Sequence, residues 1–140
     1  MQESYLKSLK QRVKEYRLEN TINFVGFTDE PYKFMQICDV MIMASKNETF
    51  GLVTIEAMKN QTAVIGANSG GVLEIIDDMK SGILFENQNH IDLADKIELL
   101  YNNSDLKHKI ALNGKIKDDE MFDSEKHFEK LKNILLDLGE

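Results

Sequence analysis

The sequence predicts an α/β fold in which a doubly wound, parallel β-sheet carries helices on both faces. Apolar runs that suit buried strands alternate four times with segments of helical spacing, and the connections between them are short. This alternation is typical of right-handed βαβ units packed in three layers. No internal repeat, low-complexity tract or linker interrupts the 140 residues, so we expect residues 1–140 to form a single domain.

The chain begins with a predicted helix and a predicted strand. Apolar side chains at helical spacing indicate a helix over residues 3–19. The run INFVGF, residues 22–27, has the composition of a short buried strand that ends at a glycine. Thr28 is expected to cap the next helix, which has Pro31 near its first turn and extends to about Cys38.

Three further apolar runs predict the remaining strands. They are DVMIMAS (39–45), TAVIGA (62–67) and GILFE (82–86), and each is bounded by polar residues, as strands covered on both faces usually are. Helical segments separate the strands and fill the rest of the chain, with a turn near residues 118–126. The predicted helices are residues 52–59, a short helix from residue 71, and residues 90–101, 104–117 and 124–138.

Composition and charge exclude several classes of protein. The net charge of −7 argues against broad nucleic-acid binding, which needs a basic face. The sequence holds no apolar run long enough for a membrane helix, and its N-terminus is too polar for a secretory signal. Cys38 is the single cysteine and no histidine has metal-ligand spacing, so we expect no metal site of these residues and a cytoplasmic location.

The loop SKNETFG, residues 45–51, is the strongest candidate for a ligand site. It leaves the carboxyl end of a predicted strand, which is where open parallel sheets bind ligands. A helix begins near Gly51, and a glycine allows the backbone to approach a ligand closely. The N–H groups of Phe50, Gly51, Leu52 and Val53 are expected to be free donors that hold phosphate or hydroxyl oxygens.

Two glutamates accompany this helix start, Glu48 in the loop and Glu56 in the helix. A carboxylate accepts hydrogen bonds from two adjacent hydroxyls, so both residues suit a sugar or a ribose. Their spacing alone favours a simpler interpretation, in which one carboxylate is solvated and the other serves the helix dipole. A glycosidase pair is a third possibility, because such enzymes combine an acid with a base or nucleophile.

The turn NSGG, residues 68–71, offers a second approach to a ligand. Gly70 and Gly71 could bring backbone amides close to a bound molecule. Alternatively the two glycines make a tight turn before a helix. In the first turn of that helix we expect Glu74 to serve as a capping carboxylate.

Five blocks, NFVGF, DVMIMAS, ETFGLVTIEAM with TAVIGA, SGGVLEII and SGILFE, follow one another over about residues 20–101. In this order they resemble the C-terminal domain of group 1, or family 4, glycosyltransferases. The family signature is a glutamate, seven residues and a second glutamate, here Glu48 and Glu56. Family members have the GT-B fold, two Rossmann-like domains with the active site in the cleft between them.

The resemblance implies a retaining transfer of a sugar from a nucleotide-sugar donor in glycan or polysaccharide synthesis, without a cofactor and without a bound metal in this domain. It makes Glu48 the catalytic residue, which bonds the sugar hydroxyls and stabilises the cationic transition state. Glu56 would bind the ribose, and the loop after NFVGF would touch the base. The substrate-binding residues expected besides Glu56 are Thr49, Phe50, Gly51, Leu52, Val53, Phe27, Thr28, Gly70 and Gly71.

Two departures from the family pattern change these expectations. Gln61 replaces a glycine that usually ends the helix, and because a left-handed conformation costs a non-glycine residue about 1–2 kcal/mol, we expect a different helix end. The family's G-R-L strand and K-G loop, whose arginine and lysine hold the diphosphate, are absent. We therefore expect an incomplete donor domain that is inactive alone.

The resemblance also predicts the partners. The acceptor, a glycan or a lipid-linked molecule, would bind through the absent N-terminal domain, and the whole enzyme would sit at the inner face of the membrane. Open strand edges favour a homodimer or a strand swap of the present chain. Two alternatives stay open: a nucleotide-sugar epimerase of the same fold, and a non-catalytic nucleotide-binding or interaction module.

Overall fold

A three-stranded parallel sheet forms the centre of the protein in a computed structural model that describes residues 2–46, 48–121 and 124–137. The strands are β1 (Val40–Met43), β2 (Ala63–Ala67) and β3 (Ile83–Phe85), and neighbouring strands in this order are hydrogen-bonded. The helices are α1 (Gln2–Glu15), α2 (Pro31–Ile37), α3 (Leu52–Lys59), α4 (Val72–Ile75), α5 (His90–Asn102), α6 (Ser104–Met121) and α7 (Ser124–Asp137).

The described residues fall into two compact units, one within residues 1–30 and the other within residues 31–140. The first unit contains α1, and the second contains the sheet and the other helices. The assignment of the whole chain to a single domain therefore stays a prediction.

Side chains from both faces of β2 build the core of the second unit. All five residues of β2 are buried, and the direction of their side chains alternates along the strand. Val64 packs with Met58 of α3 and Ile75 of α4, whereas Ile65 packs on the other face with residues of α5 and α6 such as Leu100. Burial on both faces explains why a continuous apolar run forms this strand, and it confirms the predicted three-layer α/β fold.

The strand predicted over residues 22–27 is wrong. In the structure this segment has no strand assignment, and Phe27 is 92% exposed. A strand needs a neighbour that pairs with its N–H and C=O groups, and no strand among the described residues provides one. The apolar pattern is therefore present without the pairing that would make it a strand.

Several predicted boundaries also differ from the structure. Thr28 does not cap α2: its hydroxyl accepts a hydrogen bond from the N–H of Glu30 at 3.1 Å, and the helix begins at Pro31. Helix α6 continues to Met121, through the beginning of the predicted turn. Residues 122 and 123 of that turn, and residue 138 of the last predicted helix, lie outside the described residues.

The end of α3 corrects a further expectation. Gln61 adopts the left-handed conformation that a glycine would adopt, with φ 56°. The N–H of Gln61 donates to the Met58 carbonyl at 2.9 Å, and the N–H of Thr62 donates to the Ala57 carbonyl at 3.0 Å. These two bonds define a Schellman motif, which satisfies the last helix carbonyls and so offsets the backbone strain.

The described residues contain neither a membrane-spanning helix nor a metal-binding cluster. None of their helices is both long and apolar enough to cross a membrane. The same residues contain no cluster of three or more histidine, cysteine, aspartate or glutamate side chains that could hold a metal ion.

Candidate functional site

Hydrogen bonds join the loops that leave the carboxyl ends of the three strands. In the loop after β1, the Lys46 carbonyl accepts from Asn87 Nδ2 at 3.0 Å and from Ser69 Oγ at 3.5 Å. Two residues later, the Glu48 carbonyl accepts from the N–H of Gly71 at 2.9 Å. The loop that carries Glu48 is thus fixed by the loop after β2 and by the loop after β3.

The turn at Gly70 and Gly71 packs directly against the backbone of the Glu48 loop. A Cβ added to Gly70, whose φ is +56°, would lie 2.0 Å from the Glu48 carbonyl oxygen. A Cβ added to Gly71 would lie 2.6 Å from the Thr49 carbonyl oxygen. Both glycines are therefore required by this close approach of two backbone segments.

This packing changes two of the sequence-based expectations. The N–H of Gly71 was predicted to approach a ligand, but it donates to Glu48 of the same chain. The same bond removes the backbone donor that Glu74 would need for a capping box, and no side chain caps α4 at Gly71. Gly71 therefore supports the Glu48 loop, and the predicted capping role of Glu74 is wrong.

The Glu48 carboxylate accepts hydrogen bonds from two backbone N–H groups at the start of α3. Its Oε1 accepts from the N–H of Gly51 at 3.0 Å and from the N–H of Phe50 at 3.4 Å. Two of the four N–H groups predicted to be free are therefore taken by this carboxylate. Leu52 and Val53 keep N–H groups that have no acceptor within the helix, because they lie in its first turn.

Local backbone geometry explains why the carboxylate reaches these donors. Gly51 is left-handed, with φ 81° and ψ 34°, and it turns the chain into α3 so that its N–H points back toward the loop. A negative charge at a helix N-terminus is favourable because the helix dipole is positive there. The sequence signal for this contact is a carboxylate three residues before a glycine. The sequence-based prediction assigns that carboxylate to a ligand instead.

The second glutamate of the pair has a different environment. Glu56 lies on α3 with its side chain exposed, and among the described residues its carboxylate has no hydrogen-bond or ion-pair partner. Thr54, two residues earlier, is fully buried, and its hydroxyl has no hydrogen-bond partner among the described residues. Glu56 is therefore available to a ligand, whereas Glu48 is already engaged.

The remaining predicted site residues fall into two groups. Phe50, Leu52 and Val53 expose their side chains around the start of α3, so the surface next to the free N–H groups is partly apolar. Phe27 and Thr28 belong to the other compact unit, and their contact with a nucleotide base stays a prediction.

A parallel sheet that is flanked by helices and has polar, glycine-containing loops at the carboxyl ends of its strands is typical of open α/β domains that bind ligands at this edge. The family model of glycosyl transferases group 1 matches residues 2–117, so the chain belongs to this family. An uncharacterized glycosyltransferase from Methanocaldococcus jannaschii is 32% identical over an alignment of 112 positions, which covers 76% of this chain and 32% of that protein.

Solved structures show the same fold. HepE from Anabaena, in complex with UDP, has a TM-score of 0.92 and 27% identity over 96% of this chain and 37% of that chain. The same protein in complex with UDP-glucose has a TM-score of 0.89. The C-terminal domain of a group 1 glycosyltransferase (LpcC) from Francisella tularensis has a TM-score of 0.76 and 34% identity, over 85% of this chain and 63% of that one.

These similarities confirm the predicted fold class and family. The chain has the architecture of the C-terminal domain of GT-B glycosyltransferases. It spans about a third of the length of the M. jannaschii relative and of HepE.

Proposed function

We propose that the loops at the carboxyl edge of the sheet form the donor site of a retaining glycosyltransferase, which transfers a sugar from a nucleotide sugar during glycan synthesis. The observation that carries this proposal is the placement of Glu48 and the start of α3 at that edge, where both neighbouring loops fix them. HepE, which has the same fold, was crystallised in complex with UDP and with UDP-glucose, and this supports a nucleotide sugar as the ligand.

Glu56 binds the ribose in this proposal. Its carboxylate is exposed on the first turns of α3, near the free N–H groups of Leu52 and Val53. A ribose offers two adjacent hydroxyls, and one carboxylate accepts from both. The neighbouring N–H groups then face the diphosphate oxygens, which the positive end of the helix dipole attracts.

Glu48 exchanges its partners when the donor binds. In the present conformation its carboxylate accepts from Gly51 and Phe50, and these N–H groups would otherwise hold donor oxygens. The carboxylate turns to the sugar hydroxyls, and the released N–H groups receive oxygens of the donor in its place. A donor oxygen replaces the Glu48 carboxylate as the acceptor, so the N–H groups at the start of α3 keep a hydrogen-bond partner.

The reaction breaks the bond between the anomeric carbon of the sugar and the diphosphate oxygen. The leaving nucleoside diphosphate takes the electron pair, and the positive charge that develops on the sugar is stabilised by the negative charge of Glu48. The acceptor hydroxyl then attacks from the side that the leaving group occupied and gives its proton to an oxygen of the departing diphosphate, so the anomeric configuration is retained. The acceptor is a glycan or a lipid-linked molecule held by the rest of the protein, at the cytoplasmic side of a membrane.

Calorimetric titration of the chain with UDP-glucose, UDP, and GDP and ADP sugars tests this function. Glu56→Ala should raise the Kd of the bound nucleotide sugar about 10- to 150-fold, which corresponds to one charge-assisted hydrogen bond of about 1.5–3 kcal/mol. Glu98→Ala is the matched control, because Glu98 is also an exposed glutamate on a helix but lies on α5. Equal affinity of wild type and Glu56→Ala would remove Glu56 from the site.

The titration, together with product analysis of the full-length protein, separates the alternatives. Failure of the wild-type chain to bind any nucleotide sugar would contradict a donor site formed by these residues. Binding by the chain, without sugar transfer by the full-length protein, would favour a nucleotide-binding module. Inversion at one sugar carbon of the donor, without transfer, would indicate an epimerase.

A further inference from the structure

We infer that Asn87 is a positioning residue, whose side-chain amide holds the Glu48 loop in place from the loop after β3. Asn87 Nδ2 donates to the Lys46 carbonyl at 3.0 Å, across 41 positions of the sequence. Lys46 lies two residues before Glu48, so this bond fixes the loop next to the catalytic carboxylate. A role of this bond in catalysis rests on the proposed function. Its role in holding the loop is independent of that function.

The segment that presents Asn87 is held by hydrogen bonds of its own. The backbone N–H of Glu86 donates to Asp92 Oδ2 at 2.6 Å, and the amide of Asn89 donates to Glu86 Oε2 at 2.7 Å. The hydrogen bond from Glu86 keeps the pKa of the Asp92 carboxyl below its usual value, so this carboxylate remains an acceptor. Glu86 and Asn89, which flank Asn87, are thus held by hydrogen bonds that do not involve Asn87 itself.

The start of α5 anchors the same segment. Asn89 is the N-cap of α5, and its Oδ1 accepts from the N–H of Ile91 at 3.0 Å and of Asp92 at 3.1 Å. Helix α5 packs through Leu100 on the buried face of β2 and β3. Packing therefore anchors α5 on the core, and hydrogen bonds connect the first turn of α5, through the segment of Asn87, to the Lys46 carbonyl.

Few other bonds hold the Glu48 loop among the described residues. Ser69 Oγ reaches the same Lys46 carbonyl at 3.5 Å, which is the long limit of a hydrogen bond. The Gly71 N–H holds the Glu48 carbonyl at 2.9 Å on the other side. Without Asn87 the loop keeps one well-formed hydrogen bond to the loop after β2, beside the bond of its own carboxylate to Gly51, and we expect the Glu48 carboxylate to sample a wider range of positions.

Amide hydrogen exchange of the chain tests this inference without any ligand. Asn87→Ala should speed exchange of the Gly51 and Gly71 N–H groups at least about tenfold, because these groups donate to Glu48. Exchange of Ile65 in β2 should stay unchanged, which separates loosening of the loop from general unfolding. Asn87→Asp keeps the size of the side chain, removes the donor and should give the same result.

Asn113→Ala is the matched control. Asn113 Nδ2 donates to the Lys80 carbonyl at 3.1 Å, which is the same kind of bond at nearly the same distance in another part of the unit. It should leave the exchange of Gly51 and Gly71 unchanged. Unaltered exchange in both Asn87 variants, or faster exchange of Ile65 to the same degree, would overturn the positioning role.

Binding of UDP-glucose and of UDP then tests whether the loop positions the sugar. Asn87→Ala should weaken binding of UDP-glucose several-fold and leave that of UDP nearly unchanged, since Glu48 is proposed to contact the sugar. Equal weakening of both ligands would overturn a role in holding the sugar. A wild-type chain that binds neither ligand would refute the proposed function, and the exchange measurement would still decide the role of Asn87.

Discussion

The two ends of α3 both use a residue in the left-handed conformation, but the two residues differ. Gly51 stands before the first residue of the helix with φ 81°, and Gln61 follows the last turn with φ 56°. At the start, a Cβ on residue 51 would lie 2.9 Å from Ile75 Cδ1, whereas at the end the Gln61 side chain is exposed. A Cβ at position 51 would therefore have to displace the Ile75 methyl in addition to the backbone strain, whereas at position 61 only backbone preference opposes the residue present.

This difference matches the position of each end in the fold. The start of α3 lies at the carboxyl edge of the sheet and contacts the Glu48 loop and α4. The end of α3 is closed by its own Schellman bonds, and its neighbours Asn60 and Thr62 are hydrogen-bonded to α2 rather than to the loops at the carboxyl edge of the sheet. Substitutions at the start should therefore be more harmful than substitutions at the end.

The largest effect is expected at Gly70, which supports the start of α3 through the Glu48 loop. Gly70→Ala should lower the free energy of unfolding by about 3 kcal/mol, from left-handed strain of about 1–2 kcal/mol and overpacking of about 1–3 kcal/mol. Denaturant unfolding measures this change. Gly26→Ala is the control, because Gly26 has φ +78° with no atom within 4 Å of its added Cβ, so it reports strain alone. Equal losses in the two variants would show that the contact with Glu48 is unimportant.

Gly51→Ala compares the two ends of the helix directly. The variant should lose about 1–2 kcal/mol of stability through backbone strain, since the Ile75 methyl can move aside. Gln61→Ala exchanges one left-handed L-residue for another and should change stability by less than about 0.5 kcal/mol. Thermal unfolding of both variants gives the comparison, and a larger loss at Gln61 would reverse it.

Glu48→Ala should cost about 1 kcal/mol of stability, because the start of α3 loses the carboxylate that accepts from its N–H groups. Glu56→Ala should leave stability nearly unchanged, since that carboxylate is exposed and unpartnered among the described residues. Urea unfolding of both variants checks this pair. Equal stability of the Glu48 variant and wild type would argue that its carboxylate does not cap the helix in solution.

Among the variants expected to change stability, the one with the smallest effect lies at the end of α3, and its effect has the opposite sign. Gln61→Gly should raise the free energy of unfolding by about 0.5–1 kcal/mol, because relief of left-handed strain exceeds the added flexibility of the unfolded chain. A rise in Tm without a change in nucleotide binding is the expected result. A loss of stability would mean that Gln61 makes compensating contacts.

Continuous apolar runs made the sheet predictable. The cores of three predicted strands match β1, β2 and β3 within a few residues, because burial on both faces leaves a strong compositional signal. The segment over residues 22–27 carries the same signal but forms no strand, since pairing depends on a neighbour that local sequence does not reveal.

The candidate site was predicted less completely than the fold. The positions of Glu48 and Gly51 at a strand end and a helix start followed from the alternation of elements. The occupation of the Gly51 N–H by Glu48 depends on how the side chain folds back, which spacing does not determine. Asn87 was missed because its partner lies 41 positions away and a single asparagine in a loop gives no local signal.

Hydrogen exchange along α3, with and without UDP-glucose, tests most directly whether the start of this helix forms the donor site. We predict that saturating UDP-glucose slows exchange of the Leu52 and Val53 N–H groups and leaves Gln61 and Thr62 unchanged at the other end. Protection that is absent from Leu52 and Val53, or equal at both ends of the helix, would contradict the claim.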